Sequence, residues 1–141
     1  MAFGTLPERV THSGTETEAL GEELAGRLGA GDLVLLAGEL GSGKTTFVRG
    51  LARGLGAQAT VQSPTFTLVR VYPGRVQLAH VDLYRLEQSA ELRDLGLDEL
   101  LEEGVVAVEW GDRLQASLDG GRVIRIGFRH RAENERVITL P

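Results

Sequence analysis

The run LVLLAGELGSGKTTFVRGL, from Leu33 to Leu51, restricts the fold more than any other part of the chain. Inside it, Gly38-Glu-Leu-Gly-Ser-Gly-Lys44-Thr45 satisfies the pattern G-x-x-x-x-G-K-[ST] without adjustment. The flanks agree with that motif. Leu33–Ala37 is a short continuous apolar run, the mark of a strand buried on both faces of a parallel sheet. Phe47, Val48, Leu51 and Leu55 follow at helical spacing, Arg49 and Arg53 point elsewhere, and Gly56 supplies a natural C-cap. A strand, a glycine loop and a helix are therefore expected in that order.

Each residue type in the loop has a physical reason. Gly38, Gly41 and Gly43 permit backbone conformations that a side chain would forbid, so main-chain N–H groups can close around phosphate oxygens. The helix beginning near Lys44 aims its positive end at the same place. Of 15 lysine and arginine residues, Lys44 is the only lysine. A compact ammonium can reach β- and γ-phosphates inside a wrapped loop, where a planar guanidinium fits less well. Thr45 offers a hydroxyl to Mg²⁺. Gly38, Gly41, Ser42, Gly43, Lys44, Thr45 and Thr46 are thus the expected nucleotide-binding residues. Thr17 and its neighbours before the loop are candidate contacts for the base.

The rest of the chain fits one α/β domain spanning residues 1–141. At 42% hydrophobic and 25% charged residues it has the composition of a globular protein. A net charge of −5 argues against free-standing nucleic-acid binding, though not against a local basic patch. Without cysteine there are no disulfides or thiolate metal sites. No apolar run approaches the ~18 residues of a membrane span, and the N-terminus has no signal-peptide core. A cytoplasmic location is the expectation.

THSGTETEALGEELAGRL reads as a helix, with a capping box at Thr15 and Glu18, Leu20, Leu24 and Leu28 on one face, and a stop at Gly29–Asp32. Ser63–Tyr72 and Arg75–Leu86 are strand candidates joined by Pro73-Gly74, and SAELRDLGLDELLEEG is helical with a break near Gly96. Val105–Trp110 is another buried strand. RVIRIGF and ERVITL form a terminal hairpin around RHRAEN. The expectation is a three-layer P-loop NTPase fold, its sheet mixed but mostly parallel, with an antiparallel C-terminal hairpin.

A P-loop enzyme needs a carboxylate at the end of a neighbouring strand. Asp82 follows an apolar run interrupted by His80; Glu109 closes an uninterrupted one. Both are expected to face the phosphates, with Glu109 favoured for the metal and Asp82 for water or the switch segment. SPTFT, with hydroxyls at Ser63, Thr65 and Thr67, lies where a γ-phosphate sensor is often found. Trp110 is either core or an interface anchor, with core the simpler reading. His80 has no second histidine or cysteine nearby, which disfavours metal ligation. Arg122, Arg125, Arg129, His130 and Arg131 read as a solvated hairpin, with docking to RNA or a partner as the sharper alternative.

Guanine-specific switches carry N-K-x-D, yet the sole asparagine is Asn134, followed by glutamate. A free-standing small-molecule kinase needs an acceptor pocket and lid that so short a chain hardly houses. A compact ATPase, or a nucleotide-dependent scaffold working in a complex, remains. GELGSGKTTFVRGL, SPTFTLVRVY, HVDLYRL, ELRDLGLDELL and VEW occur here in the order and spacing of the TsaE family, which this chain resembles over nearly its whole length. Val81 stands where that family usually has an aromatic residue, and Gly111 where proline is common. The resemblance implies an ATPase of bacterial tRNA threonylcarbamoyladenosine (t6A) biosynthesis, slow alone and stimulated by TsaD- and TsaB-type subunits. It implies that ATP hydrolysis resets the transferase complex, with tRNA held mainly by the partners. By the same resemblance Gly41 to Thr46 wrap the phosphates, Lys44 and Asp82 support hydrolysis, Thr45 and Glu109 serve Mg²⁺, and SPTFT is the switch.

Overall fold

The structure, a computed structural model of the chain, describes residues 7–39, 43–58, 69–82, 96–109 and 122–140. Its elements are β1 (Glu8–Thr11), α1 (Gly14–Ala25), β2 (Asp32–Gly38), α2 (Lys44–Gly54), β3 (Val69–Tyr72), β4 (Gln77–Asp82), α3 (Leu97–Glu103), β5 (Gly104–Glu109), β6 (Arg122–Ala132) and β7 (Glu135–Thr139). The strands form one seven-stranded sheet in the order β1-β7-β6-β2-β5-β4-β3. The central strands β6, β2, β5 and β4 run parallel to one another. Antiparallel strands finish both sides: β3 beside β4, and β7 then β1 beside β6. The fold is thus α/β with a mixed sheet. Its antiparallel pairs lie on both flanks and not only in the C-terminal hairpin.

Side-chain alternation splits the core into two layers. Val34 and Leu36 of β2 join Leu78, Val105, Ala107 and Ile126 under α1 and α2. Leu33 and Leu35 join Ala79, Val81, Val106 and Val108 under Leu97 and Leu101 of α3. A strand buried on both faces must be apolar at every position, which is why Leu33–Ala37 reads as a continuous run. Phe47 of α2 meets Phe128 of β6 edge to face, ring centroids 5.4 Å apart. Among the described residues, no helix is long and apolar enough to cross a membrane.

α1 does not begin at the expected box of Thr15 and Glu18. Its N-cap is Ser13, whose hydroxyl accepts from the Glu16 N–H at 3.1 Å, while the Glu16 carboxylate accepts from the His12 N–H at 3.0 Å. This contact with the His12 main chain holds the Glu16 carboxyl below the usual carboxylate range. The reason is β1, a strand the sequence pattern did not reveal because three of its four residues are exposed. Coming off Thr11, the chain has only His12 and Ser13 in which to turn into the helix.

α1 packs on α2 almost backbone to backbone. A Cβ placed on Gly50 would fall far inside van der Waals contact distance of the Glu18 carbonyl oxygen. That close approach needs glycine, and it fixes α1 against the helix that leaves the P-loop. At the other end of α1, the Arg122 guanidinium donates to Arg27 O and to the Asp32 carboxylate, tying α1, β2 and β6 together.

Candidate nucleotide site

The C-terminal ends of β2, β4 and β5 lie side by side, and the P-loop leaves β2 above them. Open parallel sheets bind ligands in this crevice. β2 ends at Gly38, and α2 starts at Lys44 with Gly43 as its N-cap. Gly43 has φ +104°, a left-handed conformation that a side chain would strain. Gly41, Ser42 and Thr65 lie outside the described residues, as do the whole SPTFT segment and Trp110.

Lys44 is only 4% exposed, and its Nζ donates to Gly38 O at 2.7 Å. The ammonium therefore spans the loop from the start of α2 back to the end of β2. Thr45, one residue further, donates its hydroxyl to both carboxylate oxygens of Glu109, at 2.9 and 3.1 Å. These residues are 64 apart in sequence. Glu109 is the last residue of β5, paired in register with Leu36 of β2, so its side chain emerges beside the loop. Asp82 is its Cα partner across the parallel β4–β5 pair and projects from the same face. The two candidate carboxylates are thus neighbours, and Glu109 meets the P-loop helix through Thr45.

Thr46 sits in the first turn of α2 close to Gly14, at the start of α1. Thr17 approaches Gly43 from α1: a Cβ on Gly43 would lie 3.7 Å from the Thr17 methyl. Its hydroxyl points inward, donating to Ser13 O at 3.2 Å and bonded to Thr11 Oγ1 at 2.7 Å. What Thr17 presents toward the loop is therefore a methyl group and not a hydrogen-bonding oxygen.

The sequence pattern missed one member of this cluster. His80 is fully buried on the α2 side of β4, and its Nε2–H donates to Glu109 Oε2. Period-two alternation carries the signal that would have found it. His80 and Asp82 share a face of β4, and the parallel register puts Glu109 on that same face.

The donor set is all oxygen: one hydroxyl and two carboxylates, which suits a hard cation such as Mg²⁺. Among the described residues no three histidine, aspartate or glutamate side chains form a site that could hold a metal by themselves. This matches the usual Mg²⁺ arrangement, in which one or two protein ligands share the ion with substrate phosphates. The residues therefore fit a nucleotide-bound Mg²⁺. The basic hairpin is arranged differently. Arg129 pairs with Glu8 and Arg131 with Glu135, while Arg122 lies away from the tip on Asp32.

Comparison with known proteins agrees with this geometry. The family model described as "Threonylcarbamoyl adenosine biosynthesis protein TsaE" matches residues 11–138. A Treponema pallidum protein named tRNA threonylcarbamoyladenosine biosynthesis protein TsaE is 41% identical over 132 residues, covering 93% of this chain and 97% of its own. A Bacillus subtilis protein of the same name is 42% identical over 127 residues, covering 89% of this chain and 78% of its own. The crystal structure of Bacillus subtilis YdiB superposes with a TM-score of 0.80 at 33% identity, over 99% of this chain and 87% of that one. Matched along almost all of its length in sequence and in fold, the chain belongs to the TsaE family.

Proposed function

We propose that residues 1–141 act as one Mg²⁺-dependent ATPase domain. In this reading it serves the threonylcarbamoylation of the tRNA adenosine next to the anticodon. The t6A assignment comes from the relatives, which carry that pathway in their names. The ATPase assignment rests above all on one observation: the Thr45 hydroxyl, at the head of a P-loop helix, is bonded to the carboxylate that ends the adjacent strand.

In this reading the main-chain N–H groups at residues 41–46 receive phosphate oxygens, aided by the positive end of α2. Lys44 exchanges its bond to Gly38 O for the β- and γ-phosphates. Thr45 and Glu109, hydrogen-bonded to each other, are the residues that would hold Mg²⁺, which would supply charge neutralisation on the phosphates. Asp82, beside Glu109 and closer to solvent, orients the attacking water. SPTFT senses the γ-phosphate. The chain works in the cytoplasm with TsaD- and TsaB-type subunits, which hold the tRNA, and hydrolysis resets their complex between cycles.

Calorimetry with Mg²⁺-ATP tests the site. The folded protein binds, and Lys44→Ala weakens binding by roughly 10- to 100-fold, the loss expected of a charge-assisted bond worth about 1.5–3 kcal/mol. No heat from a folded sample, alone or with partner subunits, overturns the nucleotide reading. ATP turnover measured with and without the partners tests the complex: a rate that does not rise on their addition overturns that part.

A further inference from the structure

His80 is the buried titratable residue for which the proposed chemistry has no use. It occupies an inward-facing position of a central strand, between Leu78 and Asp82 on the same face. A leucine there would simply extend the core. The imidazole instead leaves Nδ1 buried with no hydrogen-bond partner, which costs desolvation. Among the described residues its polar contact is with Glu109. A carboxylate only accepts, so Nε2 carries a proton directed at Glu109.

We propose that His80 is the positioning residue for Glu109. This rests on the nucleotide reading above and deepens it. The side chain of Glu109 has three torsions and hangs from the last residue of β5, so unaided it can turn toward solvent. His80 reaches it from a strand packed on both faces and holds Oε2. The Thr45 hydroxyl reaches the same oxygen at 2.9 Å and Oε1 at 3.1 Å, so the carboxylate held by His80 faces the head of α2. When the Thr45 hydroxyl is drawn toward a cation, His80 keeps the carboxylate in place. Partners in this outer position commonly tune metal affinity by about 10- to 100-fold.

The test uses a fluorescent ATP analogue, titrated in EDTA and then with increasing Mg²⁺, for wild type, His80→Leu and His80→Gln. A glutamine amide can place an N–H where Nε2–H lies. The expected result for His80→Leu is a Mg²⁺ midpoint raised on the order of tenfold, with affinity in EDTA unchanged and His80→Gln close to wild type. Equal losses with and without Mg²⁺, no shift in the midpoint, or a glutamine variant as impaired as leucine would each overturn the proposal. A second measurement needs no nucleotide and no core substitution at His80. In the ¹⁵N spectrum of the wild-type imidazoles, His80 should show the Nε2–H tautomer, and Glu109→Gln should move that resonance. A different tautomer, or an unmoved signal, overturns the proposal. If wild type binds no nucleotide at all, the reading of the preceding subsection fails, and the spectrum still decides the contact.

Discussion

The parallel centre of the sheet and its β1–β7–β6 flank treat polar side chains in opposite ways. In β4 and β5 every residue from Leu78 to Val81 and from Gly104 to Glu109 is buried, and the polar side chains among them, His80 and Glu109, bond to each other. On the flank, Arg129 and Arg131 stand in solvent and meet Glu8 and Glu135 there. Alternating strands put charge outside by default, so arginines on the hairpin need no further explanation, and their own carboxylates already balance them. A histidine and a glutamate inside continuous apolar strands are retained against a desolvation cost. The same property, being polar, therefore signals a specific buried contact in one region and only solvated charge in the other.

This contrast can be broken by substitution. The largest effect should come from adding one methyl group at matched glycines. Gly50→Ala forces α1 off α2 at the Glu18 carbonyl and should cost about 3 kcal/mol or more, since backbone cannot yield as a side chain does. Gly127→Ala on the flank meets only Thr139 Cβ, at 3.7 Å, and should leave stability within about 0.5 kcal/mol or raise it slightly. Urea midpoints of the two variants check this, and equal midpoints would erase the distinction. Next come paired valines. Val106→Ala in the fully buried centre should cost about 2–3 kcal/mol through lost burial and the cavity left. Val10→Ala on β1 should stay within about 0.5 kcal/mol, as its side chain is already partly in water. The smallest effect is expected for Arg129→Ala, which removes an exposed ion pair worth about 0–1 kcal/mol, less still in molar salt. A larger, salt-insensitive loss there would mean that the hairpin carries more than solvated charge.

Much of this was readable from residue order because its causes are local. A run of five apolar residues, a glycine loop and a 3.6-residue repeat specify β2, the P-loop and α2 within one stretch of chain. Pro73-Gly74 separates β3 from β4, Gly96 caps α3, and alternation in RVIRIGF and ERVITL marks β6 and β7. β1 escaped notice because it has one inward residue, and the start of α1 was displaced because the turn out of β1 selects Ser13 as cap.

The site divides along the same line. Lys44 and Thr45 come from a motif whose spacing alone states its chemistry. Residue order favours Glu109 over Asp82 for the metal by its uninterrupted apolar strand, but the contact with Thr45 itself depends on strand order and register, which are set by long-range pairing that no local pattern encodes. Only the packed sheet places β5 directly beside β2, brings Glu109 to Thr45 and sets His80 behind it. Sequence determined what each element can be, since backbone conformation and amphipathicity act over a few residues. The tertiary fold decided which side chains meet, since their distances depend on how elements far apart in the chain share one core.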